Sequence, residues 1–142
     1  MKVTAIDHFV LTVRDVEATC RFYEGVLGMQ VVTFGEGRRA LHFGRQKINL
    51  HQAGQEFAPH AQQPVPGSAD FCLLTDRPLA EVLAHIIACG GDIIEGPVGR
   101  TGAAGPLESV YLRDPDGNLI EVARAAPLVA RDSSDRSHTA KT

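Results

Sequence analysis

The chain has 142 residues, 44% of them hydrophobic, and a formal net charge of −3, which suits one ordinary domain or two small modules sharing a core, with no need of metal or disulfide staples. The absence of a basic stripe argues against nucleic acid or an anionic membrane as partner, and no apolar run approaches the roughly 18 residues of a membrane span. The N-terminus, MKVTAIDHFVLTV, lacks a signal-peptide pattern, and Cys20, Cys72 and Cys89 have no CxxC spacing, so a cytoplasmic setting is expected, with the thiols acting as small buried hydrophobes.

Ile6 to Val13 alternates: Phe9, Leu11 and Val13 share one face, and His8, Val10 and Thr12 the other. Asp15 can cap a helix over Asp15–Leu27, whose apolar stripe runs through Val16, Cys20, Tyr23 and Leu27 and stops at Gly28. Short strands follow at Gln30–Phe34, Arg39–Phe43 and Lys47–His51. In the last, Ile48 and Leu50 oppose Lys47, Asn49 and His51. This is a β-α-β-β-β module over residues 4–52, and the Pro- and Gly-bearing segment 53–67 reads as a linker.

The pattern restarts at Ser68–Thr75, with Asp70, Cys72 and Leu74 on one face. A helix stripe follows at Leu79, Val82, Leu83, Ile86 and Ile87, closed by Gly90-Gly91. Asp92–Glu95 is a short strand, Gly96–Pro106 a glycine-rich loop that serves as a lid or an anion nest, and Glu108–Arg113 a strand. Asp114-Pro115-Asp116-Gly117 is a tight turn, and Asn118–Ala123 closes a second β-α-β-β-β module over 68–124. One α+β domain over 1–124 is therefore expected, built from a duplication, with a flexible tail over 125–142 and a short helix near Leu128.

Glu121 is the one charge in an otherwise apolar last strand. A half-buried carboxylate needs hydrogen bonds, a cation or a metal. Arg113 or Arg39 could pair with it. Across the two modules, His8 and Asp70 open the first strands, while His51 and Glu121 stand in the last. Two imidazoles and two carboxylates suit Zn, Ni, Co, Mn or Fe at an open site.

The duplicated module, the opening IDHFVLTVRDVEATCRFYEGVLGM and the closing YLRDPDGNLIEV resemble the vicinal oxygen chelate superfamily. It includes glyoxalase I, extradiol dioxygenases, fosfomycin-resistance thiol transferases and bleomycin-binding proteins. FGRQKINLHQAG, HAQQPVPGSADFCLLT and EGPVGRTGAAGP are similar to the glyoxalase domain-containing protein 5 group. The resemblance implies a cupped mixed sheet with helices outside, around a divalent metal that chelates two adjacent oxygens of a small-molecule substrate. It also implies a homodimer. His8 and Glu121 match family ligands directly. His51 stands where glyoxalase I carries a glutamate, and Asp70 where most metal-binding members carry histidine. Glu121 would be the catalytic base, with Arg39, Lys47, Arg100 and Tyr111 as substrate-binding residues. The activity implied is of the lyase or isomerase type. The alternatives are extradiol-type dioxygenation, thiol transfer in antibiotic resistance, and metal-free binding of a small molecule.

Overall fold

Residues 1–126 are described in the computed structural model. The described residues divide into two compact units: residues 1–69 with Asp114–Asn118, and Asp70–Arg113 with residues 119–126. In the first unit β1 (His8–Val13), α1 (Val16–Gly25), β2 (Gln30–Phe34), β3 (Arg38–Phe43) and β4 (Gln46–Gln52) follow in order. The sheet runs β1-β4-β3-β2. β1 and β4 are parallel and the other neighbours antiparallel, because the crossover through α1 and the β2–β3 hairpin returns the chain to β1 in its original direction.

Helix α1 starts where the sequence says it should. The Asp15 carboxylate accepts from the Ala18 N–H at 3.1 Å. It ends sooner than Leu27, because the chain leaves it through an αL closure: Gly28 N–H donates to Glu24 O at 3.1 Å, and Met29 N–H to Tyr23 O at 3.0 Å. That closure needs the left-handed φ of +68° that Gly28 supplies. The helix buries Thr19, Cys20 and Tyr23, and the unit's core is completed by Leu11, Val13, Leu41, Ile48 and Leu50.

The second unit repeats the plan with β5 (Asp70–Leu74), α2 (Leu79–Ala88), β6 (Glu95–Gly102), β7 (Gly105–Arg113) and β8 (Leu119–Ala125), in the order β5-β8-β7-β6. Its core holds Leu79, Ile86, Val110, Leu112, Ile120 and Val122. The glycine-rich stretch expected as a loop is instead the β6–β7 hairpin, turning at Gly102–Gly105. Backbone pairing does not require side chains, and here it excludes them. A Cβ on Gly96 would lie 2.4 Å from Ser109 O, and one on Gly102 2.8 Å from Gly105 O. The glycines let two strands approach at a bulged register.

Asp114 is buried in the first unit and accepts four hydrogen bonds: Tyr23 OH at 2.6 Å, the backbone N–H groups of Asp116 and Asn118 at 2.9 and 3.0 Å, and Asn118 Nδ2 at 2.8 Å. Burial and the Asp114 charge push the Tyr23 phenol pKa up. Arg14 donates to Asp116 Oδ1, and Ala69 N–H donates to Asn118 Oδ1 at 2.8 Å. The sequence shows the turn but not this anchorage.

Two further expectations change. Of the cysteines only Cys20 is buried, while Cys72 and Cys89 are exposed. Cys72 lies on the exposed side of β5, with Asp70 and Leu74, and Cys89 is the C-cap of α2. Ala125, assigned to the tail, lies inside β8. The rest of that tail from 127, with the helix near Leu128, is outside the described residues.

Candidate functional site

In the second unit β8 lies between β5 and β7. Glu121 faces Cys72 on one side and Tyr111 on the other. Its Oε2 accepts from Ser109 Oγ at 2.6 Å. Tyr111, opposite Glu121 on β7, accepts at its hydroxyl from Arg100 Nε at 2.8 Å. Arg100 is held further by Glu95 Oε1 at 3.1 Å and Gly99 O at 2.9 Å, and its guanidinium lies 5.2 Å from the Tyr111 ring centre. Desolvation pushes the Tyr111 phenol upward in pKa. The Arg100 hydrogen bond opposes this, and the Glu121 hydrogen bond and charge add to it. The Cys72 residue is exposed, yet its thiol is pushed up to about 11, first by desolvation and then by the charge and hydrogen bond of Glu121.

Asp70 is one strand over and two residues back from Glu121, opposite Leu119. In a sheet such diagonal neighbours are about 7–8 Å apart at the backbone and share a face. Both line a cleft of about 300 Å³, with Ile94, Arg100, Tyr111 and Arg113. Of the eight residues singled out from the sequence, this cleft gathers four: Asp70, Arg100, Tyr111 and Glu121.

The other four lie in the first unit, and they are spread out. His8 is on β1 opposite Lys47, and its Nδ1 is 2.8 Å from Asp7 Oδ2. A carboxylate on one imidazole nitrogen is a common setting of a metal-binding histidine. His51 is opposite Thr12. Four steps of register, about 13 Å, separate it from His8, so one ion in this sheet cannot take both. His51 is 3% exposed, stacks edge-on against Phe57 at 5.4 Å, and leaves its Nδ1 without a partner among the described residues. Desolvation, then the Arg38 charge, lowers its pKa; Glu56 opposes this and His60 adds to it. His51 also lines a cavity of about 140 Å³ with His60, Thr12 and Asn118. Lys47 places its ammonium 4.3 Å from the Phe34 ring centre. Arg39 is opposite Leu50, on the face away from His51, and ties β3 to α1 through an ion pair with Glu17.

The register corrects the symmetry read from the sequence. Counted from the first-strand pair, His8 matches Asp70, and the position opposite Val10 matches the one opposite Cys72. The first is Asn49 and the second Glu121. His51 therefore corresponds to Ala123. Asn49 is 7% exposed, and its Oδ1 has no hydrogen-bond partner among the described residues. The sequence reading missed Asn49, Ser109 and Cys72. Each sits on the right face of its strand by alternation, which was the available signal.

Among the described residues no three His, Cys, Asp or Glu side chains form a group able to hold an ion. The Asp70 and Glu121 carboxylates of the cleft are hard oxygen donors, whose chemistry suits a divalent metal. Oxygen donors with an imidazole accept Zn, Mn, Fe, Co or Ni. No helix among the described residues is long and apolar enough to cross a membrane.

A family model described as the Glyoxalase/Bleomycin resistance protein/Dioxygenase superfamily matches residues 5–122. A virulence protein of Salmonella typhimurium is 56% identical over 124 residues, covering 87% of this chain and 86% of that protein. The crystal structure of that virulence protein covers 89% of this chain and 100% of its own, with a TM-score of 0.87 at 55% identity. A glyoxalase domain-containing protein of Mycosarcoma maydis is 51% identical over 123 residues, covering 87% of this chain and 69% of its own. A lactoylglutathione lyase of Agrobacterium tumefaciens is similar in structure, with a TM-score of 0.67 at 25% identity, covering 87% of this chain and 95% of that one.

Proposed function

Because the chain belongs to the glyoxalase/bleomycin resistance protein/dioxygenase superfamily, we propose that it is a metal-dependent, glyoxalase-like enzyme of the lyase or isomerase type, acting on a small oxygen-bearing substrate. The observation that supports this best is the β5–β8 cleft, where Asp70 and Glu121 stand on one face with Arg100 and Tyr111 beside them. The candidate ligands of a Zn, Ni, Co, Mn or Fe ion are His8, His51, Asp70 and Glu121, with the carboxylate pair of the cleft as the starting set. A divalent ion held there would supply Lewis acidity toward adjacent substrate oxygens and so acidify the neighbouring C–H. Glu121 takes that proton and returns it to the adjacent carbon. Ser109 orients the carboxylate. Arg100, held by Tyr111 and Glu95, receives an anionic end of the substrate, and Lys47 is a further candidate for binding it. Arg39 contributes through its tie to α1. The working form is a homodimer in the cytoplasm, and the subgroup is that of glyoxalase domain-containing protein 5.

The test is metal analysis of untagged protein, followed by hemithioacetal isomerisation with Ni or Zn restored. Stoichiometric metal that is lost in Glu121→Gln, and turnover reduced at least about a hundredfold in that variant, are expected. Protein that takes up no metal at any pH yet holds a small molecule tightly would make it a binding protein. A metal-loaded but inert protein would shift the reading to ring cleavage or thiol transfer.

A further inference from the structure

Helix α2 carries two donors that the cleft does not use. His85 stands in its last turn, and Cys89 is its C-cap four residues on. Residues spaced i and i+4 lie one above the other on a helix surface. Cys89 Sγ is 3.6 Å from His85 Nε2, at an exposed position. A tetrahedral zinc-type ion binds sulfur at about 2.3 Å and imidazole nitrogen at about 2.0–2.1 Å, and at the tetrahedral angle these bonds set the two donors about 3.5 Å apart. The pair already has the bite of such an ion. The site is also at a helix C-terminus, the negative end of the helix dipole, where a cation is favoured.

We propose that His85 Nε2 and Cys89 Sγ form a two-point chelate for a tetrahedral d10 cation such as Zn2+ or Cd2+, with water or an outside ligand completing the shell. His85 supplies the Nε2 lone pair, which requires the tautomer with hydrogen on Nδ1. Cys89 loses its thiol proton to the buffer as the sulfur–metal bond forms, so one proton is released per ion bound. Soft thiolate sets the preference for Zn2+ and Cd2+ over Mg2+ and Ca2+. The site is independent of the chemistry proposed for Asp70 and Glu121.

Cadmium titration of the reduced, metal-stripped full chain tests it, read by near-ultraviolet thiolate-to-cadmium absorption and by proton release. The band should persist in Cys72→Ser and in Glu121→Gln, vanish in Cys89→Ser, and need at least tenfold more cadmium in His85→Ala. Cadmium should also slow alkylation of Cys89 in the parent protein but not in His85→Ala. A band that follows Cys72, or that His85→Ala leaves unchanged in affinity, would overturn the chelate.

Discussion

β4 and β8 hold the same place in the two modules, each running parallel to its module's first strand, and they treat one equivalent position in opposite ways. In β4 it is Asn49, a buried neutral amide whose oxygen lacks a partner among the described residues. In β8 it is Glu121, a half-buried carboxylate with Ser109, Tyr111 and Cys72 turned toward it. Duplication has kept the backbone slot and its register while the charge has diverged. A carboxylate persists only where the neighbouring strands supply donors, and in this chain β5 and β7 do so.

The largest test installs the charge where no donors wait. Asn49→Asp is nearly isosteric and should cost about 3–5 kcal/mol at neutral pH, as an uncompensated buried ion does. Burial raises the folded pKa of such a carboxylate above its unfolded value near 3.9. The penalty is therefore absent below the unfolded pKa and grows as pH rises through the folded one. Urea midpoints at about pH 3.5 and 7 separate this from a packing effect; an equal loss at both would break the comparison. The converse test removes a donor. Ser109→Ala should cost about 1–2 kcal/mol by denaturant unfolding, since Glu121 is only half buried and water can replace part of the lost bond.

Two smaller effects sharpen the contrast through titration. In Glu121→Gln the Cys72 thiol loses a charge and a carboxylate acceptor, so its pKa should drop from about 11. Desolvation persists, so it should stay above the ordinary value near 8.5. The pH profile of Cys72 alkylation reads this directly, and an unchanged profile would remove Cys72 from Glu121's partners. In the metal-free protein His51 has a folded pKa below its unfolded one. The unfolded chain then binds more protons between the two values, so stability is complete above about 6.5 and falls as pH drops through that window. His51→Gln should flatten this slope in unfolding curves measured across it.

The alternation in DHFVLTV and KINLHQ was enough to place His8, Lys47, Asn49 and His51 on one face, because a strand has period two. Period two does not say which residue faces which across a strand pair, and that register decides that Asn49 rather than His51 matches Glu121. Gly96–Pro106 read as a loop from its composition, since the signal for a strand lies in side chains and this hairpin is held by backbone. The DPDG turn was legible from Pro115 and Gly117. Its use of Asp114 to hold Tyr23 was not, because nothing local links residues so distant in the chain.

That anchorage bears on the order in which the protein can be made. The Tyr23–Asp114 hydrogen bond spans 91 residues, and the segment 114–118 belongs to the first unit although β5, α2, β6 and β7 precede it in the chain. Domains generally fold N-terminal first as the ribosome extends them. Here the N-terminal unit must wait, with the Tyr23 hydroxyl unpaired, until nearly all of the C-terminal one has been synthesised.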